Sequence, residues 1–320
     1  MYKLKDLKKR IIITDTKVEC PQKTCNRMVE RQRKTFRKSP EFYCSNCQIY
    51  ISPSTFEYNS ESDNLLWFNP LDQDLFEKIN KVKRESRISR DNSEDAVTWN
   101  VFRYFDRNKI LSDFLSKISN DVHNVIELML WSYSPNEFKG WSWLNKARLE
   151  FGETIVRGSE PDIIILTDTT LFFIEAKFNA GNNTVPSAPD NKKEYTIGGQ
   201  NWFGQVFKSD YQTIAITNKK YELMRFWLLG CWIAKKLNVK FQLVNLVLDN
   251  KETNIVSDFG KHIVVDSNNT FSRLTWEEIY SLIKNSHRND NDTLTILDYF
   301  ENKAAGYNSK GDLKKAFITN

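Results

Sequence analysis

The sequence predicts an α/β protein with a small zinc-ribbon domain at its amino end. Three observations carry that prediction. Residues 163–166 and 171–174 are β-branched or aromatic runs around Asp168-Thr169-Thr170, the pattern of a tight antiparallel hairpin. Helical runs flank it, and residues 241–248 form a further, largely apolar strand. Four of the five cysteines fall early, as Cys20-x4-Cys25 and Cys44-x2-Cys47 with 18 residues between the pairs.

That spacing is close to the paired knuckles of a four-cysteine ribbon, in which Cys20, Cys25, Cys44 and Cys47 would enclose one structural Zn²⁺ tetrahedrally. Pro21 and Ser45-Asn46 suit the turns, and residues 11–13 and 48–51 suit short strands. So small a segment buries little core, and the metal would stabilise its fold. Disulfides are the rival reading, but they are rare in a reducing cytoplasm. A cytoplasmic location is expected, because the first residues lack the apolar core of a secretion signal and no run approaches a membrane span.

Charge is unevenly placed. The 320 residues carry 46 Lys/Arg and 41 Asp/Glu, a net +5, yet residues 1–39 alone hold 13 basic and four acidic side chains. A basic arm on a near-neutral body is the pattern of a protein that meets a polyanion, or simply of a solvated face. The densest positive run lies between the knuckles, with Arg31, Arg33, Lys34, Arg37 and Lys38, and with Phe36 and Tyr43 available for stacking or packing. It suits a phosphate backbone, a protein partner, or a brace for the fold. The three histidines, His123, His262 and His287, lie near no other His or Cys in sequence, which argues against nucleases built on clustered histidines.

The expected division is a ribbon with its basic finger (1–60), a connector (61–91), the main domain (92–285) and a tail (286–320) without an assigned role. In the connector, Leu65-Leu66-Trp67-Phe68 reads as an apolar docking point before a polar helical run. Asn92 or Ser93 caps the next helix, on which Ala96, Val97, Val101, Tyr104 and Phe105 recur at helical spacing; Glu94 in its first turn suits the macrodipole. Residues 110–131 read as one long amphipathic helix through Leu111, Phe114, Leu115, Ile118, Val122, Val125, Ile126 and Met129, with His123 packed or on its surface. Trp131, Trp141 and Trp143 read as core or lid aromatics.

Residues 179–200, rich in Asn, Gly, Pro and Ser, read as a long loop, a functional flap that orders on nucleic acid. Gln200, Asn201, Gln205 and Lys208 after it are candidates for phosphate contact. The almost wholly apolar run 221–234 must be a buried helix, with Cys231 as a small core residue; Glu222 and Arg225 share one face, where pairing with each other is the ordinary expectation. Residues 263–265 read as a short strand and 276–283 as a closing helix. The tail is polar, then amphipathic near 294–299.

Three charged residues interrupt the hairpin's apolar pattern. Glu175 and Lys177 point to one face of their strand and Ala176 to the other, while Asp162 opens the partner strand opposite them. Two carboxylates and an ammonium at the end of a buried hairpin are costly unless paired or bound to a metal. A surface ion pair between Glu175 and Lys177 accounts for two of them; a hard divalent cation accounts for all three.

The Pro161-Asp162 pair, the gap to Glu175 and the Glu175-Ala176-Lys177 tripeptide resemble the signature of the PD-(D/E)xK nuclease superfamily. The resemblance spans about residues 92–285 and implies a restriction-endonuclease-like core, a mixed central sheet flanked by helices. It implies Mg²⁺ (or Mn²⁺) on Asp162 and Glu175, joined by the Ala176 carbonyl, with Lys177 assisting the attacking water. Glu94 on the first core helix would complete the catalytic set, and Tyr221, Glu222 and Arg225 would back the site. The chain departs from the family where glutamine is common, having Glu222 there. The implied activity is a metal-dependent endonuclease cutting DNA, in restriction or antiviral defence, with a homodimer or a regulatory protein as partner and no membrane. The alternatives are a non-catalytic zinc-ribbon module that binds nucleic acid or a partner, and an RNase or junction-specific nuclease of the same fold, since fold does not fix substrate.

Overall fold

The computed structural model of the chain describes residues 1–33, 36–83, 86–119, 121–155, 158–186 and 192–319. It begins with β1 (Lys17–Glu19), β2 (Met28–Glu30), β3 (Tyr43–Cys44), β4 (Ile49–Ile51) and β5 (Phe56–Tyr58), then α1 (Pro70–Asn80), α2 (Glu94–Arg107) and α3 (Leu111–Ser119). Next come β6 (Val125–Leu130), β7 (Tyr133–Ser134), β8 (Lys139–Gly140), α4 (Ser142–Glu150), β9 (Ile163–Thr167) and β10 (Thr170–Ala176). The helices α5 (Lys192–Asn201), α6 (Phe203–Val206) and α7 (Tyr221–Leu237) precede β11 (Lys240–Val247), α8 (Ile255–Gly260) and β12 (Asn269–Thr275). The chain closes with α9 (Trp276–Lys284), α10 (Asn291–Asn302), β13 (Ala304–Tyr307) and β14 (Leu313–Lys315). Two compact units result, one of residues 1–69, 87–104 and 277–320, the other of residues 70–86 and 105–276.

The second unit is built on a seven-stranded sheet in the order β12-β11-β10-β9-β6-β7-β8, so the protein is α/β with a mixed central sheet. β10, β11 and β12 run parallel, whereas β9 pairs antiparallel with both β10 and β6. Every residue of β10 is buried, as is all of β11 after Lys240, which is why both read as near-continuous apolar runs. α7 lies on β10 and β11. It approaches so closely that a Cβ on Gly230 would stand 2.0 Å from the Phe241 ring. The tight hairpin at 168–170 forms as expected.

Four local expectations are corrected. Residues 110–131 are not one helix: α3 stops at Ser119 and Val125–Leu130 is strand β6, paired with β9. Val125, Glu127 and Met129 fit a period of two as well as a helical one, and the sheet edge open beside β9 decides between them. Val122 and Ile126, counted on the apolar face, are exposed. Residues 263–265 give only one bridge, Phe207↔Ile263, and the outer strand is β12, whose polar run gave no strand signal. The loop expected over 179–200 turns helical at Lys192 and breaks at Gly198, Gly199 and Gln200, whose backbone is not helical, and Asn182 within it is fully buried; residues 187–191 lie outside the described residues.

The first unit gathers the ribbon strands around Leu7, Ile11, Val18, Val29, Ile49, Ile51 and Phe56, with Cys20, Cys25 and Cys44 in the same core. The tail belongs here. Ala304 and Tyr307 of β13 pack into that core, and the Tyr307 hydroxyl donates to the Lys8 carbonyl at 3.0 Å. The β13–β14 hairpin fits only because Gly306 and Gly311 adopt φ of 95° and 83°; a Cβ on either would lie 2.2 or 2.3 Å from the carbonyl oxygen of Ser54 or Ile11.

Candidate metal centres and the charged strand end

The four cysteines of the ribbon do converge. Their Sγ atoms all lie within 4.8 Å of one another, with Cys25 and Cys44 at 3.6 Å. A tetrahedral site with Zn–S bonds of about 2.3 Å requires S···S separations of about 3.8 Å, so this group can hold zinc. The knuckle at Cys44 is shaped for it: the Cys47 and Gln48 N–H groups both donate to the Cys44 carbonyl, at 3.2 and 2.8 Å, and Gln48 takes φ 54°. Burial pushes the Cys47 thiol up to about 12 and the Cys20 thiol higher still, so gathering thiolates here calls for a cation.

The second cluster lies at the end of β10. Ile174↔Ile163 is the last antiparallel pair of the hairpin, and continuing that register by one step brings Asp162 beside Glu175, whose carboxyl feels its charge. The Asp162 carboxylate accepts the Ala176 N–H at 2.9 Å. The Trp131 N–H holds the Asp162 carbonyl, also at 2.9 Å. Glu175 is 2% exposed; its Oε1 is bonded to Lys177 Nζ, and its Oε2 is buried with no hydrogen-bond partner among the described residues. Burial pushes the Glu175 carboxyl well above the ordinary range; Lys177 pulls it down, and Asp162 and Glu222 push it further up.

Glu222, on the first turn of α7, also contacts Lys177, at 3.1 Å. The expected Glu222–Arg225 pair does not form. Arg225 instead meets Glu153 at 3.2 Å and donates to Ser159 Oγ at 2.7 Å, while its guanidinium lies over the Tyr221 ring, 5.0 Å from the centroid. A three-residue spacing allows contact on a helix face but does not compel it when tertiary partners compete.

Glu153, Arg148 and Ser159 were not singled out by the sequence, yet they form a buried network just upstream of Asp162. Arg148 Nε donates to the Ser159 carbonyl at 2.9 Å, and the Ser159 and Tyr195 hydroxyls donate to Glu153 Oε1 at 2.6 and 2.9 Å. The available signal was a pair of charged residues, Arg148 and Glu153, bracketing the apolar end of α4. Removing Arg225 would leave buried Glu153 without the one cation in contact with it among the described residues, Arg148 acting only from further off. Arg225→Ala is therefore expected to cost on the order of 3 kcal/mol in denaturant unfolding, and Arg225→Ala/Glu153→Gln less than the two single changes together. A single change costing under about 0.5 kcal/mol would show the network to be passive.

Other site expectations distribute as follows. Glu94 is the first residue of α2, half-buried, in the unit that does not contain Asp162 and Glu175. Arg31 and Arg33 fold back on the carbonyls of Thr14 and Asp15, at 2.8 and 3.0 Å, and Arg37 is exposed. Lys38 is engaged by Glu57 at 3.1 Å, and Lys34 lies outside the described residues. Tyr43 packs on Tyr50, with ring centroids 4.8 Å apart. His123 is buried, edge-on to Phe172 and hydrogen-bonded to Ser119, and Cys231 is core. Among the described residues, only the four cysteines form a group of three or more His, Cys, Asp or Glu side chains poised around one point. No described helix is long and apolar enough to cross a membrane.

Compared with models of protein families, with curated proteins and with solved structures, the chain matches none.

Proposed function

We propose that this chain is a metal-dependent nuclease of the PD-(D/E)xK type with a zinc-stapled amino-terminal ribbon, acting on DNA. The observation that carries it is Glu175: a carboxylate 2% exposed, close enough to Asp162 to feel its charge, with Oε2 left without a partner among the described residues. A buried carboxylate oxygen without a partner asks for an explanation, and a bound cation supplies one. Asp162, Glu175 and the Ala176 carbonyl would hold Mg²⁺, which when bound would neutralise phosphate charge and ease loss of a proton from water. Lys177, on the same face, would orient the nucleophile and offset the charge that builds on the phosphoryl oxygens. Glu222, by sharing the Lys177 ammonium with Glu175, would keep that side chain from collapsing wholly onto the metal ligand. Restriction or antiviral defence is a setting that suits such an enzyme, with a second copy or a regulatory protein as partner.

Incubating the purified chain with plasmid, linear duplex, branched and single-stranded DNA and RNA, with Mg²⁺ or Mn²⁺ and an EDTA control, tests this. Cleavage that needs the cation is expected, with DNA preferred. One observation favours a non-catalytic reading, in which the body recruits nucleic acid or a partner: among the described residues no third acidic ligand joins Asp162 and Glu175. Absence of metal-dependent nicking on every substrate would favour that reading.

A further inference from the structure

A cavity of about 900 Å³ opens within the first unit, lined by Arg31, Arg33, Phe36, Ser54, Arg90 and Asn92 among others. Its three arginines outnumber the one acidic side chain in the lining, Asp15, so the cavity keeps an excess of positive charge. The guanidiniums of Arg31 and Arg33 are pinned by main-chain carbonyls, one contact each, and among the described residues neither has a carboxylate within ion-pair distance. Each fork therefore keeps most of its five N–H donors for a ligand. Arg90 lies over the Phe36 ring, 5.0 Å from its centroid, and meets Glu57 at 3.5 Å, but that carboxylate is already shared with Lys38 at 3.1 Å. Gln32 locks the finger to the ribbon, donating to the Ile51 carbonyl at 3.0 Å and accepting the Arg37 N–H at 2.7 Å, so the wall is preorganised.

Three preset guanidiniums, an aromatic ring and a rim of hydroxyl and amide groups match phosphate and base chemistry together. The size is that of a pocket for one or a few nucleotides and cannot admit a duplex. We infer that this cavity binds single-stranded nucleic acid, with phosphates on Arg31 and Arg33 and a base against the Arg90–Phe36 stack. The ribbon would then read an unpaired strand end or an opened stretch rather than grip intact duplex. The inference rests on the nucleic-acid reading of the basic finger and not on hydrolysis.

The test uses the full zinc-loaded chain without Mg²⁺ or Mn²⁺, so that nothing is cut. Fluorescence anisotropy compares a labelled single strand of about a dozen nucleotides with the same sequence as blunt duplex. The single strand should bind at least about tenfold tighter. Arg31→Gln/Arg33→Gln should weaken it at least about tenfold and lower the log–log salt slope by about 0.7 per arginine. Phe36→Ala should weaken it about fivefold or more and Phe36→Trp should restore it, with zinc content unchanged in each variant. Equal affinity for duplex, a wild-type salt slope near zero, indifference to both substitutions, or full displacement of the strand by an equal concentration of free dAMP would overturn the inference. A chain that cuts DNA yet shows none of these sensitivities keeps the nuclease reading and loses this one; a chain that binds as expected and never cuts does the reverse.

Discussion

Glu175→Gln should abolish metal-dependent cleavage while making the metal-free protein more stable at neutral pH. Both halves come from one fact, that this carboxyl is 2% exposed with an unpartnered oxygen. Burial raises its affinity for a proton, and the contact with Lys177 opposes this only in part. A folded state that holds a proton more tightly than the unfolded chain loses stability as pH rises above the unfolded value of about 4.3, and regains it below. Glutamine keeps the shape without the charge. It should therefore stabilise the metal-free chain at pH 7, Lys177 still being held by Glu222, and flatten its pH dependence above that unfolded value.

The loss of activity should be at least about 10³-fold for Glu175→Gln and for Asp162→Asn, and about 10²–10³-fold for Lys177→Ala. A binding measurement separates catalysis from folding. Mn²⁺ at about a hundred times its dissociation constant should stabilise wild type by about 2.7 kcal/mol, and Glu175→Gln by almost nothing. If Glu175→Gln still cuts, or if Mn²⁺ stabilises variant and wild type alike, Asp162 and Glu175 are not the ligands. A destabilised Glu175→Gln with unchanged activity would make the Glu175–Lys177 pair a structural bridge.

How far these residues were readable from sequence depended on whether their signal was local. The hairpin around Asp168 was legible because β-branched runs and a polar turn sit side by side, and the alternation of Glu175, Ala176 and Lys177 follows from strand geometry alone. The convergence of the four cysteines was legible because cysteines at knuckle spacing have few other uses in a small segment. What escaped was decided by partners distant in the chain. β6 looked helical because its apolar positions satisfy both periods, and β12 is a polar run that becomes a strand through its pairing with β11. Arg225 meets Glu153, 72 positions away, and not its helix neighbour Glu222. The tail hairpin gave no sign of its destination, because Gly306 and Gly311 are informative only once the carbonyls they avoid are known.

Replacing a ribbon cysteine should be the most damaging single change in the first unit. The short strands β1 to β5 have two or three residues each, too few for independent stability, and the shared core is small. Structural zinc contributes about 10–16 kcal/mol in finger peptides of this kind. Cys44→Ala removes one of the four gathered thiols, a wholly buried one, and leaves three to close a site that needs four. The expected result is loss of one bound zinc per chain, and proteolysis that spreads from residues 1–60 to the β13–β14 hairpin, because Tyr307 and Ala304 share that core. β9 to β11 should resist, since their core in the second unit contains none of the four ligands. Strong chelation of wild type should reproduce the pattern. A chelated chain with unchanged protection of both segments would show that apolar packing suffices without metal, and purification of wild type with no zinc would show that the cysteines serve another purpose.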